Sequence, residues 1–239
     1  YKDYILFLFL GDAMPKIAYS KQQREQIREN LIVLAQELMS IQGVRHTTIE
    51  QIYQRAGISR TFFYTFFASK EDLILEIIYY QQPLLLAYAE KLVQDPSLSW
   101  EEALKRFLYT CCHGERNRIV LLTITEQQML FQRLSPASYQ QFRRKQELLF
   151  GGILERFGID PSIRRIHLFT NLCLSVLLIH QAIPDTLPLL IPEMAEETTA
   201  IQICSIVECL KQMYTDTQQS KQEASLSSDA ACEVIDPMK

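Results

Sequence analysis

Apolar residues recur at helical spacing along almost the whole chain. Ile27, Leu31, Leu34, Leu38 and Ile41 follow one another at intervals of 4, 3, 4 and 3, with Arg, Glu and Gln between them. That is the stripe of an amphipathic helix over about 21–42, and Gly43 is placed to end it as a left-handed cap. Thr48, with Gln51 three residues on, opens a second helix with Ile49, Ile52 and Ala56 on its inner face. Gly57 stops that helix after two turns. Ser59 caps a third, over about 60–67. Ser69, with Asp72 in capping-box position, starts a long fourth helix through Leu73, Ile74, Ile77 and Ile78. Pro83 is expected to kink it, because the ring removes one bond to Tyr79, and Asp95-Pro96 ends it near residue 94.

Further helices are expected over about 100–113, 119–134, 136–158, 161–183 and 193–214. Pro184, Pro188 and Pro192 make 183–192 a loop. From Thr215 the chain turns Ser/Gln/Asp-rich, so 215–239 is expected to be a disordered tail. No strand pattern and no internal repeat stand out, and the expected fold class is all-α. The chain opens YKDYILFLFLGDA. Its apolar run, 4–10, is too short to span a bilayer, and Met14 would make a natural start. Residues 1–13 are expected to be an upstream extension, and no membrane partner is expected.

Composition narrows the class. Of 239 residues 48% are apolar and 22% charged, which excludes collagen, wholesale disorder and a multi-span membrane protein. Seven Gly leave few tight turns, in keeping with long helices. The net charge of −4 is unevenly spread. Residues 14–75 carry 8 Lys/Arg against 6 Asp/Glu, and residues 76–239 carry 15 against 20. A mildly basic head on an acidic body permits a local nucleic-acid surface. Cys111, Cys112, Cys173, Cys204, Cys209 and Cys232 form no CxxC pair and read as free thiols in a reducing cytoplasm. No Cys/His pair stands at zinc-ligand spacing, so neither metal nor cofactor is expected. No nucleophile–base–acid constellation or phosphate loop is present, which argues against an enzyme.

Two short helices joined at Ala56-Gly57-Ile58-Ser59 and preceded by a longer one make a helix-turn-helix. The run AGISRTFFYTFFASKEDL resembles the DNA-binding signature of the tetracycline-repressor (TetR) family. Tyr64, Phe67, Lys70 and Leu73 stand at that signature's spacing. Upstream, Gly43, Thr47-Thr48-Ile49, Ile52 and Ala56-Gly57 also fit, so the resemblance covers about 24–75. It implies phosphate contacts at Thr48, Tyr64 and Lys70.

The residues themselves support a DNA-facing surface. Arg60 and Thr61 stand on the first turn of the third helix, where Arg60 could bond guanine O6/N7. Thr48 and Lys70 lie at helix starts, where the backbone N–H groups and dipole favour a phosphate. Tyr64 either gives its hydroxyl to a phosphate or is a half-buried core aromatic. Lys70 either grips a phosphate or is a solvated charge. The candidate DNA-binding set is Thr48, Ser59, Arg60, Thr61, Phe62, Tyr64, Thr65 and Lys70. Lys16, Lys21 and Arg24 could add an arm along the backbone or minor groove. Phe63 and Phe67 belong to the head's core. Phe62 and Phe66 depart from the polar or small residues usual in the family. They either pack on the fourth helix or touch thymine methyls and sugars.

The resemblance divides the chain into a TetR-type helix-turn-helix domain, 14–75, and a helical domain for effector binding and dimerisation, 76–214. Candidate pocket residues are Phe107, Cys111, His113, Met129, Phe131, Phe169, Cys173 and His180. No charge cluster marks the pocket, so a largely apolar effector is expected. The run LCLSVLLI at 172–179 is apolar almost all round, and Ile203, Ile206, Val207, Leu210 and Met213 make a wide stripe. Both suit a four-helix interface between two chains. The expectation is a homodimeric repressor on a palindromic duplex operator, released by a small molecule. The alternative is the same fold without an effector, controlled by a protein partner.

Overall fold

Hydroxyl side chains start the first seven helices. Ser20, Thr48, Ser59, Ser69, Ser99, Thr123 and Ser135 each accept a hydrogen bond from the backbone N–H three residues on. At Ser20, Thr48, Ser99 and Thr123 the cap's own N–H in turn donates to the side-chain oxygen of the third residue. These are orphan donors of the first turn, and each cap is worth about 1 kcal/mol. A computed structural model describes residues 19–182 and 191–232, and among the described residues the fold is all-α. The helices are α1 (Lys21–Gln42), α2 (Ile49–Arg55), α3 (Arg60–Phe63), α4 (Lys70–Val93) and α5 (Trp100–Cys112). They continue as α6 (Ile124–Arg133), α7 (Pro136–Arg156), α8 (Ile163–Ala182) and α9 (Ala195–Cys232). The proposed upstream extension and most of the proline-rich loop lie outside the described residues.

Two apolar cores form. The head core gathers Leu31, Ile32 and Ala35 of α1, Ile52 of α2, Phe63 of α3 and Leu73 and Ile77 of α4. The body core gathers Ala89 of α4 with Phe107, Leu154, Phe169, Val207 and Leu210 from α5, α7, α8 and α9. α4 thus belongs to both, and Pro83 sits inside it on an exposed position. Gly57 takes φ +68°, a conformation that suits a residue without Cβ, and turns α2 into α3. Gly43 also has positive φ, but its ψ of 157° is extended, so it ends α1 outside the left-handed helical region expected of it.

Several boundaries differ from the sequence pattern. α3 ends at Phe63, and a tight turn in which Phe66 N–H donates to the Phe63 carbonyl replaces its last residues. α6 starts at Ile124, because Val120 and Leu122 leave helical geometry to enter the head core. α8 starts after Pro161, at Ile163. α9 continues past Tyr214 to Cys232, where a disordered tail was expected. The reason is tertiary. Buried Thr217 accepts hydrogen bonds from Asp160 N–H and Arg165, and the Gln218 amide donates to the Gly158 carbonyl.

The stripe assigned to a subunit interface is also revised. Ile203, Ile206, Val207 and Leu210 are buried in the chain's own core, and Met213 packs on it. α8 is long and apolar enough, by length and composition alone, to cross a membrane; little of it is buried.

Candidate functional site

The head builds its outer surface on α3. Ser59 caps the helix through the Phe62 N–H, 3.2 Å away. Arg60 and Thr61 then occupy the first turn, both exposed. Tyr64 stands one turn on, 40% exposed, with the Arg60 guanidinium carbon 5.8 Å from its ring centroid. The ring's inner edge packs on Phe63. Tyr64 is therefore both half-anchored and open to solvent. Thr48 is exposed, and its hydroxyl oxygen caps α2.

Three expected contact residues carry structural duties as well. Phe62 is half-buried: its ring stacks on Tyr19 at 5.1 Å and meets Phe66 edge-on at 5.1 Å. Arg24, expected in a backbone-tracking arm, folds back over Phe66 at 4.8 Å and donates to the Thr65 carbonyl and hydroxyl. Lys16, the first residue of that arm, lies outside the described residues. Lys70 donates from Nζ to the Val44 carbonyl at 2.6 Å. Burial pulls its ammonium below the usual lysine range, opposed by the Glu126 and Glu71 carboxylates. One of its three donors holds the turn after α1, which fixes where the remaining charge sits at the start of α4.

The aromatic stack has a measurable consequence. Phe62→Ala removes two ring pairs, each worth about 0.5–1.5 kcal/mol. We expect a lower melting temperature and an even loss of binding across all DNA sequences. A variant of unchanged stability that loses only thymine-containing sites would assign Phe62 to base readout instead.

The body holds an open cavity of about 510 Å³ lined by α4, α5, residues 119–122 and α6 to α9. Of the eight candidate pocket residues, Phe107, Cys111, Phe131 and Cys173 line it. The other four do not. Phe169 is fully buried in the core against Phe150. Met129 is 51% exposed on α6. His113 and His180 meet each other outside the cavity lining. Burial pushes the Cys111 and Cys112 thiols up to about 12, which makes them inert apolar wall rather than nucleophiles.

The wall is less apolar than its sequence suggested. Arg143, Glu147 and His167 contribute a charged group, with His167 Nε2 3.0 Å from Glu147 Oε1. The Gln82 amide nitrogen and the Gln181 amide oxygen are buried in the lining and meet no hydrogen-bond partner among the described residues. Gln81 is buried, and both ends of its amide are paired. Its amide donates to the Val120 carbonyl at 3.1 Å and accepts from the Val120 N–H at 3.1 Å. Next along that segment, the Arg118 carbonyl accepts from Gln36 of α1. One signal was present in the sequence: Gln81-Gln82 interrupts the apolar stripe of α4.

Comparison with known proteins agrees with this geometry. Residues 31–77 match the family model described as bacterial regulatory proteins, tetR family. The HTH-type transcriptional regulator AcrR of Shigella flexneri is 31% identical over 106 residues. That match covers 43% of this chain and 49% of the relative, so the chain spans about half the length of the curated relative it matches. The crystal structure of a transcriptional regulator from Cytophaga hutchinsonii superposes with a TM-score of 0.51. It is 17% identical and covers 78% of this chain and 97% of the other, a likeness of fold. Residues 31–77, which hold the helix-turn-helix, are thus similar to the tetR family of bacterial regulatory proteins.

Proposed function

We propose that the chain is a homodimeric, sequence-specific transcriptional repressor. In this reading each head presents Arg60 and Thr61 to one half of a palindromic operator. Thr48, Tyr64 and Lys70 hold phosphates beside them. The body binds a largely apolar small molecule that carries hydrogen-bonding groups for Gln82 and Gln181. Binding favours a conformation whose two heads no longer match the half-site spacing.

The observation that carries this reading is the hydrogen-bonded path from cavity to head. Gln81 lines the cavity and grips Val120 by both backbone groups. Val120 and Leu122 are part of the head core, and Arg118 is bonded to α1 through Gln36. A ligand that displaces residues 119–122 therefore moves α1 and α4 together. An open cavity also favours a small-molecule effector over control by a protein partner alone. For dimerisation, support comes from apolar residues left outside the core. Leu168 and Leu174 of α8 and Ile201 of α9 are exposed on helices that adjoin each other.

Selection of bound fragments from random duplex DNA, followed by small-molecule release from the selected fragment, tests the proposal. A palindromic consensus and a releasing compound are expected; no enrichment over the starting pool would reject it. Within the same assay, Lys70→Ala is expected to weaken all sequences alike. It should also lower the magnitude of the salt slope by about one unit. A change in base preference would reject the phosphate assignment.

A further inference from the structure

Three helix ends of the body converge on a group of side chains outside the cavity and outside the head. His113 follows α5, His180 lies in the last turn of α8, and Glu196 lies in the first turn of α9. One potential ligand atom from each lies within 4.8 Å of the other two. His113 Nε2 is 3.2 Å from Glu196 Oε1, and the two imidazole rings are 4.7 Å apart between centroids.

The hydrogen bonds around His113 constrain its chemistry. Its Nδ1 lies 3.0 Å from the Tyr109 carbonyl. A carbonyl only accepts, so Nδ1 carries the proton there. The other nitrogen faces a carboxylate, a second acceptor. In a neutral imidazole that nitrogen holds a lone pair, and lone pair against carboxylate is repulsive. Either a second proton or a cation must stand between them. The second imidazole, His180, stands beside this pair and can supply a further nitrogen ligand to a cation.

We propose that His113, His180 and Glu196 bind a divalent transition cation of the zinc type, leaving a fourth position open. Two imidazole nitrogens and one carboxylate oxygen suit zinc and its neighbours; calcium and magnesium prefer all-oxygen sets. Tetrahedral ligands at about 2.0–2.1 Å stand roughly 3.3 Å apart, close to the His113–Glu196 separation. The remaining contraction falls to Glu196, whose side chain is exposed, and to half-buried His180. An orienting shell is in place. The Tyr109 carbonyl fixes His113, buried Thr199 lies 3.0 Å from His180 Nδ1, and the Tyr109 hydroxyl donates to Glu196 Oε2. Such a cation would staple α5, α8 and α9 beside Cys112, which lines the cavity.

The test uses the untagged full-length chain, stripped with a chelator and titrated calorimetrically with zinc chloride alone. Glu196→Gln is the diagnostic variant: the residue is exposed, so folding does not depend on it, and circular dichroism verifies this. His180→Asn is the second variant. The wild type is expected to take up one zinc per chain and to melt at a higher temperature with zinc present. Both variants should bind at least about tenfold more weakly. With cobalt substituted, the wild type should show the visible bands of a tetrahedral site and Glu196→Gln should not. No zinc uptake, or uptake of equal affinity in wild type and both variants, overturns the proposal.

Discussion

Phe63→Ala is expected to abolish DNA binding and to cost about 3–5 kcal/mol of head stability. Phe63 is fully buried at the centre of the head core, between Phe67 and Tyr64. It projects from the single-turn α3, whose four residues cannot hold helical shape without that anchor. Truncation leaves a cavity under the helix and frees the turn that carries Arg60 and Thr61. Head and body have largely separate cores, so the body should persist. Thermal melting should therefore split into two transitions, with only the head's moved to lower temperature. A single transition near the wild-type midpoint, with DNA binding intact, would contradict the role given to Phe63.

Gln81→Leu is expected to have the next largest effect, and a different one. Leucine has a similar volume but no polar atoms. The substitution leaves both the N–H and the C=O of Val120 without their side-chain partner in a buried setting. Each orphaned group costs about 1–3 kcal/mol. The segment 119–122 then loses its tie to α4 while keeping Gln36 on Arg118. Chemical denaturation should report the loss of stability. Operator release should need more effector, because the cavity no longer moves the head through this contact. A variant within about 0.5 kcal/mol of wild type and with an unchanged release curve would remove Gln81 from the path.

Local signals were legible in the sequence, and long-range ones were not. Thr48 with Gln51, and Ser59 and Ser69 as caps, are visible because a cap is settled within four residues. The resemblance carried by Tyr64, Phe67, Lys70 and Leu73 led to the family that residues 31–77 match. The start of α6 is hidden although Thr123 and Glu126 form a capping box, because the run Ile119-Val120-Leu121-Leu122 has the pattern of a helix interior. Those apolar residues serve the head core instead. The continuation of α9 rests on Thr217 bonding a residue 57 positions earlier, which no local pattern encodes. In the cavity, Phe107 and Cys173 were accessible as buried apolar positions, but Gln82 and Gln181 become notable only once both are seen unpaired. His113 and Glu196 are 83 residues apart, far beyond the short spacings by which metal ligands are recognised in sequence.

The central claim is that two copies of this head read one palindrome. Its most direct test is the affinity of the full chain for its selected duplex and for a scrambled duplex of equal length, at one fixed salt concentration. The mass of the complex is measured alongside by sedimentation. The account predicts two chains per duplex and a preference of at least about a thousandfold for the palindrome. Equal affinity for both duplexes, or one chain per duplex at full specificity, would contradict it.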